Sequence, residues 1–415
     1  MKSIRLSSFQ WKIIVFLVII TMINYIDRSS LSFAIKPIQG DFGLNNSDFG
    51  LISSAFSIGY VFTTFFGGIL VDRYGTIGVW AISAVLWSIA MMLLGAATGF
   101  WSFFILRFAL GLTEGIHFPA FLRTLSDWLP QQWRARASGF GLFGVPLASI
   151  VGAPLTTFLI YAFNWQLMFV ILGSLGVIWA VFWLFFFRHH PHVRFRSVHS
   201  SSLYFTGEKK KMPWKHLLTN RTYLLSCLVY FAFGYTIFFI LMWLPGYFAQ
   251  TYGSSTLSLG FLVLPPWICS ACLLLFGGWL SDRLMKKTKS LRISRTYVIA
   301  LSLLLSGLSF LPIIVSTTLA VDIFWMSLGL GIAYILNAPM YAFLADLYGP
   351  YSGTAQGVLS SFLALGGIIS PSLTGWLTMV TGNFRIAFFF LAALSIIASL
   401  AMLFFQYPDK EKTMF

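Results

Sequence analysis

Four ionisable side chains fall inside long apolar runs of the 415-residue chain: Asp27, Arg28, Arg107 and Glu114. Each costs about 2.5–3.5 kcal/mol at the centre of a membrane helix on insertion scales. Two are cations and two are anions, so the set is neutral when fully ionised. A guanidinium stays protonated and presents a planar fork that matches a carboxylate in two contacts. A carboxylate in low-dielectric surroundings is driven toward its neutral form, which lets it take up and release a proton. The set has the chemistry to bind an organic anion and to exchange protons. Structural ion pairing is the competing reading, but a buried ion pair seldom improves stability over an apolar pair of similar volume.

Spacing favours a shared cavity. Arg107 and Glu114 are seven residues apart, two helical turns on nearly one face and about 10.5 Å in rise, with Gly111 leaving space between them. Thr21, Asn24 and Arg28 fall at i, i+3 and i+7, with Asp27 alongside, and form a polar stripe on one helix. His117, about one turn beyond Glu114, is read either as a proton relay or as a packed, satisfied histidine. Cys227, Cys269 and Cys272 sit within apolar stretches and read as small core residues, so no metal site is expected.

These residues must be carried by membrane helices. The chain is 58% hydrophobic and only 9% charged, with a mean hydropathy of +0.83. Soluble domains are nearer 45–50% apolar and about 25% charged. A soluble enzyme and a disordered protein are both excluded. The net charge of +15 does not mark a nucleic-acid binder, because the basic residues sit in short clusters between apolar runs. About 20 apolar residues cross a ~30 Å hydrocarbon core. Twelve stretches qualify: 13–36, 48–71, 79–97, 101–125, 138–162, 166–187, 222–249, 257–281, 295–315, 318–342, 354–378 and 384–406. The apolar run from Ile13 reads as a retained first span, not as a cleaved leader.

Of 27 Lys and Arg residues, Arg28 and Arg107 lie within spans and Lys36 and Arg385 border connections after odd-numbered spans. The rest lie at the termini or beside connections after even-numbered spans, which places both termini in the cytoplasm. The expected organisation is 1–187 and 222–415 as two six-span halves, with 188–221 as a basic cytoplasmic linker. His189 and His190 in that linker read as part of a solvated, headgroup-facing loop.

The halves repeat. Gly67-Gly68-Ile-Leu70-Val-Asp72-Arg73 closes the second span, and Gly277-Gly278-Trp-Leu280-Ser-Asp282-Arg283 closes the eighth, 210 residues later. A parallel duplication of six spans gives both copies the same topology. Gly68, Asp72, Arg73 and Gly75, with the looser Gly278, Asp282 and Arg283, resemble the repeated turn of the major facilitator superfamily. Three further motifs resemble its anion:cation symporter branch. They are Asn24-Tyr25-Ile26-Asp27-Arg28, Arg107-x6-Glu114-Gly-x-x-x-Pro119, and Trp128-Leu-Pro130-x3-Arg134-x-Arg136-Ala-x-Gly139.

The resemblance implies an all-α membrane fold of twelve transmembrane helices in two six-helix pseudo-repeats, with no enzymatic activity. It implies proton-coupled symport of an organic carboxylate by alternating access, with protons as the coupling ion and no cofactor. Helices 1 and 4 would face the central cavity. Arg28 is expected to bind the anion, and Asp27 and Glu114 to carry protons. Arg107 would restrain Glu114 with possible contact to the anion. Tyr60, and more weakly Tyr25, match substrate-contacting tyrosines. Asn337, Tyr341, Gln356 and Ser360 supply polarity from the second half. The Asp72–Arg73 and Asp282–Arg283 turns would gate the cytoplasmic side.

Phe143-Gly144-Val145-Pro146 and Ala364 depart from the polar residues of sugar-acid members, which argues against a polyhydroxylated substrate. An efflux carrier for amphipathic compounds and a transporter-like metabolite receptor are the alternatives. A monomer in a bacterial cytoplasmic membrane, with the lipid bilayer and one small anion as partners and no nucleic acid, completes the expectation.

Overall fold

In a computed structural model, residues 6–129, 131–188, 219–348 and 352–410 are described. Sixteen α-helices cover nearly all of them: α1 (Ser8–Phe33), α2 (Ile35–Phe42), α3 (Asn46–Tyr74), α4 (Thr76–Leu94), α5 (Phe100–Glu114), α6 (His117–Trp128), α7 (Gln131–Ala162), α8 (Trp165–Arg188), α9 (Arg221–Tyr252), α10 (Thr256–Leu262), α11 (Leu264–Thr288), α12 (Tyr297–Val315), α13 (Leu319–Tyr334), α14 (Asn337–Tyr348), α15 (Ser352–Thr381) and α16 (Arg385–Phe405). A π-helical turn, Arg292–Thr296, precedes α12. Among the described residues, eleven helical segments are long and apolar enough to cross a membrane. The remaining expected span, 48–71, lies in the 29-residue α3, which is about 44 Å long and sufficient to cross. Most of the expected linker, 189–218, lies outside the described residues.

Local signals set the helix ends. Ser7 and Gln10 form a reciprocal capping box at the start of α1, and Asn220 caps α9 by accepting from Tyr223 N at 2.8 Å. Gly75, the last glycine of the first repeated turn, adopts φ 80° between α3 and α4, a conformation costly for residues with a side chain. At the matching position of the second copy stands Met285, inside α11, which runs on to Thr288 and ends on Lys289 at φ 54°.

Two spans are broken at matching points. The fourth is divided into α5 and α6 at Gly115 and Ile116, and the tenth into α13 and α14 at Ile335 and Leu336. Pro119 and Pro339 lack the N–H that would bond the carbonyls of Gly115 and Ile335. The breaks leave Glu114 and Tyr334 as the last residues before them, and His117 and Asn337 as the first after them.

Contacts divide the chain into two compact units, residues 1–37 with 55–210 and residues 38–54 with 211–415. This differs from the division expected at the linker, because 38–54 joins the second unit. There Ser54 Oγ donates to Ile368 O at 2.6 Å and accepts from Ser372 Oγ at 2.7 Å. Asn46 Nδ2 donates to Gln250 Oε1 and Thr378 Oγ1.

Within the first unit the main packings are α4 on α8 and α1 on α7; within the second they are α12 on α16 and α9 on α15. These are equivalent pairs of spans, so the duplication extends to packing. In the first unit α8 is anchored by Trp179 Nε1 to Phe16 O and Trp183 Nε1 to Ile77 O. Glycine lets α3 and α5 touch backbone to backbone: a Cβ on Gly111 would collide with the Phe56 carbonyl, and one on Gly59 with the Phe108 carbonyl.

Candidate functional site

The close approach of α3 and α5 brings three helices together around the ionisable residues of the first unit. Asp27, Arg28, Arg107 and Glu114 are all at most 3% exposed. The cost of burying them is offset in part by mutual contacts. Arg28 Nε donates to Glu114 Oε2 at 2.9 Å, and Asn24 Nδ2 donates to the same oxygen at 2.8 Å. The Arg28 guanidinium lies 4.8 Å from the Tyr25 ring centre, 4.9 Å from Phe56 and 4.5 Å from Tyr60. Such faces attract a desolvated cation by about 2 kcal/mol or more. Arg107 sits 5.0 Å over Phe56.

Glu114 takes its hydrogen bonds from Arg28 and Asn24, and none comes from Arg107 among the described residues. The reason is the rotation of α1, which points its polar stripe at the end of α5, while Arg107 lies two turns back on α5. The three guanidinium nitrogens of Arg107 and both carboxylate oxygens of Asp27 have no hydrogen-bond partner among the described residues.

The same stripe reaches across the helix break. Thr21 Oγ1 donates to Leu17 O at 2.8 Å and lies 3.4 Å from His117 Nε2. With the Thr21 hydrogen directed at Leu17, the hydroxyl is left to accept from Nε2–H. The His117 ring is fully buried, with its centroid 5.6 Å from Trp80, 6.4 Å from Trp87 and 5.0 Å from Phe118. Gly144 of α7 lies against Thr21, where a Cβ would stand 3.2 Å from its Cβ.

The second-unit candidates are arranged differently. Asn337 and Tyr341 lie on α14, both half-buried. Gln356 and Ser360 lie one turn apart on α15, with Gln356 Nε2 donating to Ser360 Oγ at 3.2 Å. Tyr334 occupies the place of Glu114 at the second break and packs on Phe233 at 5.6 Å and Trp267 at 6.1 Å.

At the repeated turns, the surroundings of Gly68 and the side chain of Asp72 lie outside the described residues; Arg73 is exposed, 5.3 Å from the Tyr74 ring. In the second copy Asp282 pairs with a residue outside the turn. Arg295 Nη1 donates to Asp282 Oδ1 at 3.1 Å and to Ser281 Oγ at 2.5 Å, and its Nε donates to Asp346 Oδ2 at 3.1 Å. Arg283 instead lies 5.1 Å from the Trp279 ring. Adjacent residues on a helix point about 100° apart, so Asp282 and Arg283 are poorly placed to pair.

Sequence reasoning also missed Asp322. Its fully buried carboxylate accepts from Tyr252 Oη at 2.6 Å and from Tyr247 Oη. Its position at the first turn of α13, at the edge of an apolar run, was the available signal. No group of His, Cys, Asp and Glu suited to a metal is present among the described residues.

A twice-built six-span helical architecture with a buried charge cluster defines a membrane transporter, not an enzyme. The chain belongs to the Major Facilitator Superfamily, whose sequence model matches residues 17–294 and 290–414. It is 33% identical to the hexuronate transporter of Bacillus subtilis, over 95% of this chain and 94% of that one. It is 31% identical to a probable galactarate/D-glucarate transporter of the same organism, over 98% and 93%. A probable sulfoacetate transporter of Cupriavidus necator is 29% identical over 92% and 90%. The fold matches the crystal structure of a bacterial homologue of the human lysosomal transporter Spinster, with a TM-score of 0.75 at 16% identity, covering 96% of this chain and 97% of that one.

Proposed function

We propose that the protein is a secondary transporter that couples protons to symport of a small organic carboxylate by alternating access. The observation that carries this reading is the buried, formally neutral set of Asp27, Arg28, Arg107 and Glu114, in which Arg28 and Glu114 pair while Asp27 and Arg107 have no hydrogen-bond partner among the described residues. Protonating Glu114 removes the countercharge of Arg28, and protonating Asp27 leaves Arg107 likewise uncompensated. Two cations then attract the anion. Because coupled binding is reciprocal, a bound anion favours protonation in turn. Tyr25 and Tyr60 flank Arg28 and bound the anion's charged end. His117 serves as a relay beyond Glu114. Arg295, bridging Asp282 and Asp346, takes the gate role first given to Arg283.

Transporters of hexuronates, galactarate/D-glucarate and sulfoacetate among the relatives support an organic anion. Both termini lie in the cytoplasm of a bacterial inner membrane, on the charge distribution. The test is thermal unfolding of the purified protein with D-glucuronate, D-galacturonate, D-glucarate and sulfoacetate at two pH values. A ligand at 100 times its dissociation constant stabilises by about 2.7 kcal/mol. Stabilisation by at least one acid, greater at the lower pH, is expected. No stabilisation by any acid, with stabilisation by amphipathic cations, would favour the efflux reading.

A further inference from the structure

The cluster contains one group that can respond to both protonation states of Glu114. Asn24 is fully buried. Its Nδ2 donates to Glu114 Oε2 at 2.8 Å, beside the Arg28 Nε bond at 2.9 Å. Its Oδ1 has no hydrogen-bond partner among the described residues. A side-chain amide carries two donors on one arm and an acceptor on the other. An ionised carboxylate only accepts, so it selects the donor arm, which is the arrangement observed.

We infer that Asn24 is a positioning residue that turns over when Glu114 is protonated and thereby releases Arg28. The proton adds to Glu114 Oε2 and the carboxylate becomes neutral. The new O–H needs an acceptor, because burying a hydroxyl without a partner forfeits its bond to water. Rotation of the amide about its Cβ–Cγ bond replaces Nδ2 by Oδ1, and the acid O–H donates to Oδ1. The charge-assisted bond from Arg28 Nε is lost at the same time, since its acceptor is no longer an anion. Arg28 keeps its place among Tyr25, Phe56 and Tyr60, with its charge directed to an incoming anion. One positive charge has entered the cluster with the proton, and one negative charge enters with the anion.

The other charged and titratable groups around Glu114 are Tyr25, Asp27 and Arg28 on α1, Tyr60 on α3, Arg107 on α5 and His117 on α6. Of these, Arg28 donates a hydrogen bond to Glu114. A purely structural asparagine would make the observed bond and keep its orientation at every pH.

This inference rests on the proton-coupled reading, and an infrared experiment separates the two without a transported ligand. Difference spectra between neutral and acid pH are recorded on the full-length protein in lipid, in wild type, Glu114→Gln, Asn24→Leu and wild type with isotope-labelled asparagine side chains. The expected result is an acid-form carboxyl band that vanishes in Glu114→Gln. It is accompanied by an isotope-sensitive asparagine amide band that also vanishes in that variant. In Asn24→Leu the carboxyl band moves to higher wavenumber, as for an acid without an acceptor. A Glu114 band with no asparagine band, or one unmoved in Asn24→Leu, overturns the inference and leaves proton coupling intact. Absence of any Glu114 band contradicts the proton-coupled reading and the inference with it. The labelled wild type decides the matter if Asn24→Leu does not fold.

Discussion

Arg28 on the first span reaches Glu114, the last residue before the break in the fourth, and the two meet at 2.9 Å with neither side chain more than 3% exposed. In the proposed cycle a buried pair held this way stores a cation that becomes available when its partner is neutralised, which would tie anion recognition to proton uptake.

The fork of Arg28, not merely its charge, is expected to matter. Arg28→Lys should weaken binding of the acid that stabilises the wild type about tenfold to a hundredfold, corresponding to the roughly 1.5–3 kcal/mol of a charge-assisted bond. Isothermal titration or scintillation proximity binding on the purified variant measures it. Equal affinity in Arg28→Lys would show that only a point charge is needed there.

Arg295 should outweigh Arg283 in the second turn. Arg295→Ala leaves Asp282 and Asp346 facing each other, but these carboxylates are 68% and 38% exposed, so water screens much of the loss. A cost of about 1–2 kcal/mol is expected in thermal unfolding, against a few tenths for Arg283→Ala. The reverse order would return the pairing to Arg283.

Gly111→Ala tests the close approach of α3 and α5. The added methyl meets the Phe56 carbonyl, and backbone cannot yield as a flexible side chain does. Overpacking of this kind costs about 1–3 kcal/mol, and it also displaces Phe56 from both arginines. A lower unfolding temperature together with weaker binding of the acid that stabilises the wild type is expected. Wild-type values for both would contradict the packing described.

Asp322 should act as a structural anchor. Asp322→Ala strands the hydroxyls of Tyr247 and Tyr252, each costing about 1–3 kcal/mol if left unsatisfied. The double variant Tyr247→Phe, Tyr252→Phe in the same background should recover part of the loss in thermal unfolding. No recovery would separate the tyrosines from Asp322.

Much of this was legible in the sequence because membranes impose strong rules. Twenty apolar residues announce a span, and an ionisable residue within one stands out against its cost. The repeated turn was readable because the paired glycines and the Asp-Arg dipeptide recur 210 residues apart at the end of the second and eighth spans. The helix breaks were harder, since the apolar runs continue across Gly115-Ile116 and Ile335-Leu336 and only a downstream proline marks each. Pairing was harder still. Whether Arg28 or Arg107 meets Glu114 depends on the rotation of α1 against α5, and Arg295 meets Asp346 from 51 positions away. No local pattern encodes either. Asp322 was lost at the margin of a span, where an acidic residue ordinarily reads as solvated.

Proton coupling through Glu114 is the centre of this account. Uptake, driven by an inward proton gradient, of whichever acid stabilises the wild-type protein, measured beside counterflow exchange in the same liposomes, tests it most directly. Glu114→Gln mimics a permanently protonated site: it should exchange substrate by counterflow yet fail to concentrate it under the gradient. A Glu114→Gln variant that accumulates the same acid as the wild type does would show that the coupling proton does not pass through Glu114.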